Sequence, residues 1–274
     1  MSLGSSSFQV QNPEQLDLLA QHFRKWEDAA LCFSQAVGMV QMFPGLRAYW
    51  PGSAVGGGIT ETTQLVDMSG NGFHMTRVAP AALGCEGLIP YVDFDGFSAR
   101  YARADEAAFD ITGTEGYIMS DFRGLTIGAW VRFNEVANAT YDTIAGKWVS
   151  PNLSYILDRA SNGTIRFGIS SDGSNVIAKT GTAVPAIWDW TFVCGRYSVA
   201  DSALKVWTND STTERTDSVP SSIYSGSADF NMGARATPSN FLNGQISQLF
   251  LCAAAVPDQF IETFFNFTAP MFGV

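Results

Sequence analysis

A chain of 274 residues with 46% hydrophobic side chains can bury a sizeable core without metal or disulfide staples, as one large all-β domain or two smaller units. Its 26 acidic residues against 16 basic ones give a formal net charge of -10, which repels polyanions; with no basic stripe to compensate, nucleic acid is excluded as a partner. No apolar run approaches the roughly 18 residues of a membrane-spanning helix, and the four cysteines, Cys32, Cys85, Cys194 and Cys252, have neither metal-ligand nor redox spacing.

The opening stretch, "MSLGSSSFQVQNPEQ", has no basic region followed by an apolar run, so it does not read as a secretory signal. Asn12, Pro13 and Glu14 form a helix start, because an Asn side chain can cap free N–H groups and Pro fits the first turn. Leu16, Leu19, Phe23, Trp26, Ala30, Phe33, Val37 and Val40 follow at alternating spacings of three and four, an apolar seam along one helix face. Leu31, Cys32, Met39 and Met42 lie off that seam, so the helix becomes apolar nearly all round toward its end and must be covered. Pro44 and Gly45 end it. It can fold back on its own domain, or pack Leu16, Leu19, Phe23, Trp26, Phe33, Val37 and Val40 against copies of itself or a larger assembly. The second is the expectation, with residues 1–45 as an arm and helix for oligomerisation or anchoring and residues 46–274 as a separate domain.

From Leu46 onward the pattern is β. Short alternating runs such as "YVDFDG", "TIRFGISS", "WTFVCGRY", "ALKVWTND" and "QISQLFLC" are separated by Gly, Asn, Asp and Ser turns, which predicts an antiparallel β-sandwich or jelly roll. In "LTIGAWVRF" the alternation puts Leu125, Ile127, Ala129, Val131 and Phe133 on a core face and Thr126, Gly128, Trp130 and Arg132 on the other.

The order of these runs resembles the laminin-G-like, concanavalin-A-like jelly-roll family. Ten pieces carry the resemblance over residues 46–267, among them "YWP" at 49, "LVDMSGNGFHMT" at 65, "YVDFDGFSARYARADEAAFDI" at 91, "YILDRASNGTIRFGISSDGSN" at 155 and "FLNGQISQLFLCAAAVPDQFIETFFN" at 241. The resemblance implies two packed antiparallel sheets, most often serving as a carbohydrate-binding or adhesive module. It also implies a structural calcium, for which Asp67 and Asn71 match the early turn. The late strand of the family's pattern carries an acidic pair, and here it reads Gly244, Gln245, Ile246, Ser247, Gln248. Calcium needs six to eight oxygens, so a turn capped by Asp67, with positive φ at Asn71 and Gly72, is the favoured reading.

A retaining glycosidase needs two carboxylates about 5 Å apart, which on a strand means alternating acids on one face. The nearest clusters, Asp93 with Asp95 and Asp105 with Glu106, do not form such a segment, and neither His22 nor His74 stands beside a nucleophile motif. No catalytic residue is assigned and the chain is read as non-enzymatic. Sugar sites combine aromatic planes with amide, carboxylate or guanidinium groups. The loops offer Tyr141 with Asp142, Trp148 with Asn152, and Arg235 with Asn240 and Phe241 as candidate ligand-binding residues. Together with the anchoring helix this resembles a bacteriophage virion component. The expectation is a structural, decoration or adhesion protein on a virion surface, with itself, other virion proteins and cell-surface glycan as partners. A free bacterial lectin-like module, at the cell surface or in the cytoplasm, is the alternative.

Overall fold

Period-two alternation interrupted by turn residues builds sheets. The computed structural model, which describes residues 33–52, 64–79, 81–87, 89–115, 120–137, 140–237 and 239–274, places sixteen described strands in two eight-stranded sheets. In the first, β7 (Gly124–Phe133) lies between β12 (Trp190–Ser198) and β16 (Asn243–Cys252). Beyond β12 come β13 (Ala203–Thr208) and β14 (Ser211–Arg215). Beyond β16 come β5 (Ile89–Asp95) and β4 (Ala82–Glu86), while β1 (Leu46–Trp50) pairs with the far end of β16. In the second sheet β8 (Asp142–Val149), β9 (Asn152–Arg159) and β10 (Ile165–Ile169) are successive neighbours, with β15 (Phe230–Met232) on the other side of β8. All the named pairings within the sheets are antiparallel, so the fold is the jelly-roll sandwich predicted from the strand pattern.

The main core lies between the sheets. Leu125, Ile127, Ala129, Val131 and Phe133 are all in it and fully buried, as the alternation of β7 requires. The opposite face of β7 is not solvent-facing, however, because Trp130 is also fully buried. The covering comes from α1 (residues 33–41) and α2 (Asp258–Thr268). Ile261 and Phe264, one turn apart on α2, enter a second apolar cluster with Trp130, Phe192, Phe250 and Cys252, and the Trp130 ring stacks on Phe272 at 4.2 Å. Cys194 and Cys252 are free and buried there, behaving as small apolar side chains.

This second cluster corrects the expectation for the N-terminal seam. Val40, assigned to a partner surface, is fully buried against the protein's own sheet with Ala36 and Phe43, and Val37 packs beside them. The rings of Phe250 and Phe264 need a cover, and Phe43 meets them edge-on at 5.2 and 5.9 Å. Phe33 is half-buried, while Leu16, Leu19, Phe23 and Trp26 lie outside the described residues. The turn after α1 is tight: Gly45 has φ +67°, and a Cβ there would stand 2.9 Å from the Ala253 backbone. Glycine is therefore required for the approach to β16.

Asp67 and Asn71 close a turn against β1. The Asp67 carboxylate accepts from the N–H groups of Tyr49, Ser69 and Phe73 and from the Ser69 hydroxyl, at 2.8 to 2.9 Å. The Asn71 amide donates to the carbonyls of Leu46 and Arg47. A calcium ion does not fit this set: both Asp67 oxygens already serve N–H and O–H donors. Gln245 is engaged by Arg132 at 2.6 Å, and among the described residues no three acidic, His or Cys side chains come together.

Asp95 has a similar local role and yields a pH prediction. Its carboxylate accepts from the N–H groups of Phe97, Ser98 and Ala99 and from the Ser98 hydroxyl. Burial alone would raise its pKa, but these hydrogen bonds outweigh that effect and hold it at about 2. A carboxyl depressed on folding contributes stability above its unfolded value near 4, and loses it as pH falls toward 2. Melting temperature should therefore drop more steeply between pH 4 and 2 in the wild type than in Asp95→Asn, and parallel curves would contradict this.

Candidate functional site

The turn at Asn162 and Gly163 sets the β9–β10 register so that Asp158 stands directly opposite Arg166. Ile165 and Phe167 point into the core, so Arg166 is on the outer face of the second sheet, and its cross-strand partner shares that face. Asp158 is completely buried and accepts two hydrogen bonds from Arg166, at 2.8 and 2.5 Å. Burial pushes the Asp158 carboxyl up and Arg166 opposes that shift; burial would lower Arg166, but the bond to Asp158 outweighs it.

Arg235 reaches the same cluster from the loop after β15. Its nearest acid is Asp158 at 4.0 Å, beyond hydrogen-bond range, and its Nε is buried with no hydrogen-bond partner among the described residues. Burial pushes its pKa down, with Asp158 opposing and Arg166 adding to the shift. One carboxylate thus faces two guanidinium groups, and it is bonded to the other one. Both lie over the Tyr141 ring, Arg166 at 4.2 Å and Arg235 at 5.4 Å from its centroid. Asn240, with φ +55°, ties this segment down: its side chain donates to the Tyr141 carbonyl and its own carbonyl accepts from Thr143.

Beside the arginines is a cleft of about 350 Å³ lined by Trp148, Leu153, Arg166, Val176, Arg235 and Ser239, among others. Trp148, Leu153 and Ile156 form a small apolar cluster separate from the main core. Gly168 leaves room for it, since a Cβ there would lie 3.7 Å from the Trp148 ring and 3.3 Å from Ile156. The site thus has an apolar wall and a guanidinium whose nearest carboxylate is 4.0 Å away and already bonded to Arg166, the ingredients for holding a ring that carries an anionic group.

Of the residues selected from the sequence, Trp148 and Arg235 line this cleft, Tyr141 lies beneath the two arginines outside its lining, and Asn240 braces Tyr141. Asp142 does not join them. It is buried with Arg159, whose Nε donates to it at 2.6 Å, and Arg159 lies over the Phe133 ring at 4.2 Å. Successive side chains on a strand face opposite sides, so Asp142 turns inward beside Arg159 while its neighbour Tyr141 stays on the outer face with Arg166. Asn152 and Phe241 are half-buried and do not line the cleft. Trp148 is 4% exposed, so it forms the wall and is not an open stacking platform. Arg166 and Asp158 were missed; an arginine alternating with Ile165 and Phe167 in "TIRFGI" was the available signal.

The chain belongs to the concanavalin A-like lectin/glucanases superfamily, whose laminin-G-type family model matches residues 107–261, more than half of its length. Among solved structures it is similar to the binding domain of botulinum neurotoxin DC in complex with SialylT, with TM-score 0.60, 13% identity, and coverage of 83% of this chain and 52% of that one. It is similar to the binding domain of Paraclostridial mosquitocidal protein 1, with TM-score 0.61, 9% identity and coverage of 81% and 52%. A third is the binding domain of botulinum neurotoxin DC in complex with rat synaptotagmin II, with TM-score 0.58, 14% identity and coverage of 81% and 51%. The chain spans about half the length of these structures, and at such identities the likeness is one of fold. No curated protein matches the chain.

Proposed function

We propose that this jelly roll is a non-catalytic glycan-binding module that takes an acidic sugar in the cleft between Trp148 and Arg235. The observation that carries this reading is the Arg235 guanidinium, held at the cleft wall with its nearest carboxylate 4.0 Å away and already bonded to Arg166. A ligand carboxylate or sulfate can engage the planar N–H fork of Arg235, while the apolar part of the ring rests against Trp148 and Val176. That structures of this fold are titled as binding domains, one in complex with SialylT, supports a binding role. Carboxylates of the two acidic clusters have structural partners: Asp95 closes a turn, Asp105 pairs with Lys147 and Glu106 pairs with Arg103. The reading holds equally for a free lectin and for a module carried on a virion or other particle.

The test is calorimetric titration with sialyllactose, with lactose as the uncharged control. Wild type should bind the acidic sugar selectively and more weakly as salt rises. Arg235→Ala should weaken it roughly tenfold to a hundredfold, the value of a hydrogen bond to a charged group. Because Asp158 keeps both bonds from Arg166, melting temperature should hardly change. Equal affinity in the variant, or no preference over lactose, would contradict the proposal.

A further inference from the structure

A second cleft, of about 600 Å³, shares no lining residue with the arginine cleft. It is walled by the segment from Ala183 to Thr191, the turn at Asn209 to Ser211 and the last residues around Phe272, with Arg132 and Glu86 at one side. Trp188 is 61% exposed, with its backbone at φ +68°. A bulky residue rarely adopts that conformation. It is imposed by the hydrogen bond from the Trp188 N–H to the Phe133 carbonyl at 2.8 Å and by the parallel bridge between Phe133 and Ile187. An indole is thus presented to solvent by a strained, anchored turn at the mouth of a cleft.

Trp190, 6% exposed, lines the same cleft from the outer face of the first sheet. The charge pattern selects among ligands. Arg132 is consumed by Glu86 at 2.6 Å and by stacking over Trp190 at 5.0 Å, which leaves the exposed Asp189 and Asp210 uncompensated at the rim. Such a rim repels acidic sugars and accepts hydroxyl protons.

We infer that this cleft is a second, independent site for a neutral oligosaccharide. Trp188 stacks on the apolar face of a pyranose ring, the Trp190 side chain walls the cleft beside it, and Asp189 and Asp210 accept hydrogen bonds from the sugar hydroxyls. The inference does not rest on the arginine cleft.

The experiment titrates the full chain, with nitrogen-15-labelled tryptophan, against four neutral hexasaccharides: β-1,4-glucan, α-1,4-glucan, β-1,4-xylan and β-1,4-linked N-acetylglucosamine. At least one should shift the indole N–H resonances of Trp188 and Trp190. Trp188→Ala should weaken that binding tenfold or more, Trp188→Tyr should retain most of it, and Arg235→Ala should leave it unchanged. Trp188 is exposed, so its replacement should not unfold the protein, and retained dispersion of the other indole signals checks this. If no hexasaccharide moves either resonance, or if Trp188→Ala binds as tightly as wild type, the inference is overturned.

Discussion

Ile127→Asp should unfold the domain at room temperature. Ile127 is fully buried at the centre of β7, paired with Gly195 on one side and Leu251 on the other. The substitution removes an aliphatic side chain from a packed core, which alone costs about 2 to 5 kcal/mol when the residue is cut to alanine. It also buries a carboxylate with no partner, which costs several kcal/mol more even if the group takes up a proton. The total rivals the roughly 5 to 15 kcal/mol by which a whole domain is stable. Urea denaturation followed by tryptophan fluorescence would measure it. A variant with the wild-type midpoint would mean that the face of β7 has been misplaced.

Asp142→Ala should cost about 3 to 5 kcal/mol, because it strands the buried Arg159 guanidinium over the Phe133 ring. Burial pushes the Asp142 carboxyl up against the pull of Arg159, so the pair itself is costly to keep dry. A double change, Asp142→Leu with Arg159→Met, should therefore recover most of the loss by replacing both charges with apolar volume. Sugar binding by the double variant should persist, since neither residue lines the arginine cleft. If Asp142→Ala kept full stability but lost binding, Asp142 would be a ligand group after all.

The sandwich and the inward face of β7 were readable because five alternating apolar residues admit only one pleat phase. The cover on the outward face was harder to read. The segment "DQFIETFFNFT" carries Ile261, Phe264 and Thr268 at helical spacing, but its pairing with Val40 and Phe43, more than two hundred residues away, has no local signal. That distance explains why the end of the N-terminal seam looked uncovered. The candidate site was half legible for a similar reason. Tyr141, Trp148 and Arg235 announce themselves as aromatic or cationic loop and strand-end residues. The Asp158–Arg166 pair that sets their electrostatics depends on cross-strand register, and so does the pairing that takes Asp142 inward to Arg159. Trp188 escaped notice because its meaning lies in a positive φ and in the cleft it overhangs, neither of which a local pattern shows.

If Arg235 and Trp148 hold an acidic sugar, both must sense it. Nuclear magnetic resonance of the full chain during titration with sialyllactose tests this most directly, because the Arg235 Nε–H and the Trp148 indole N–H are separately observable. Saturable shifts of both at the same ligand concentrations are expected, with the Trp188 and Trp190 indoles unmoved. Shifts confined to other residues, or none at all, would contradict it.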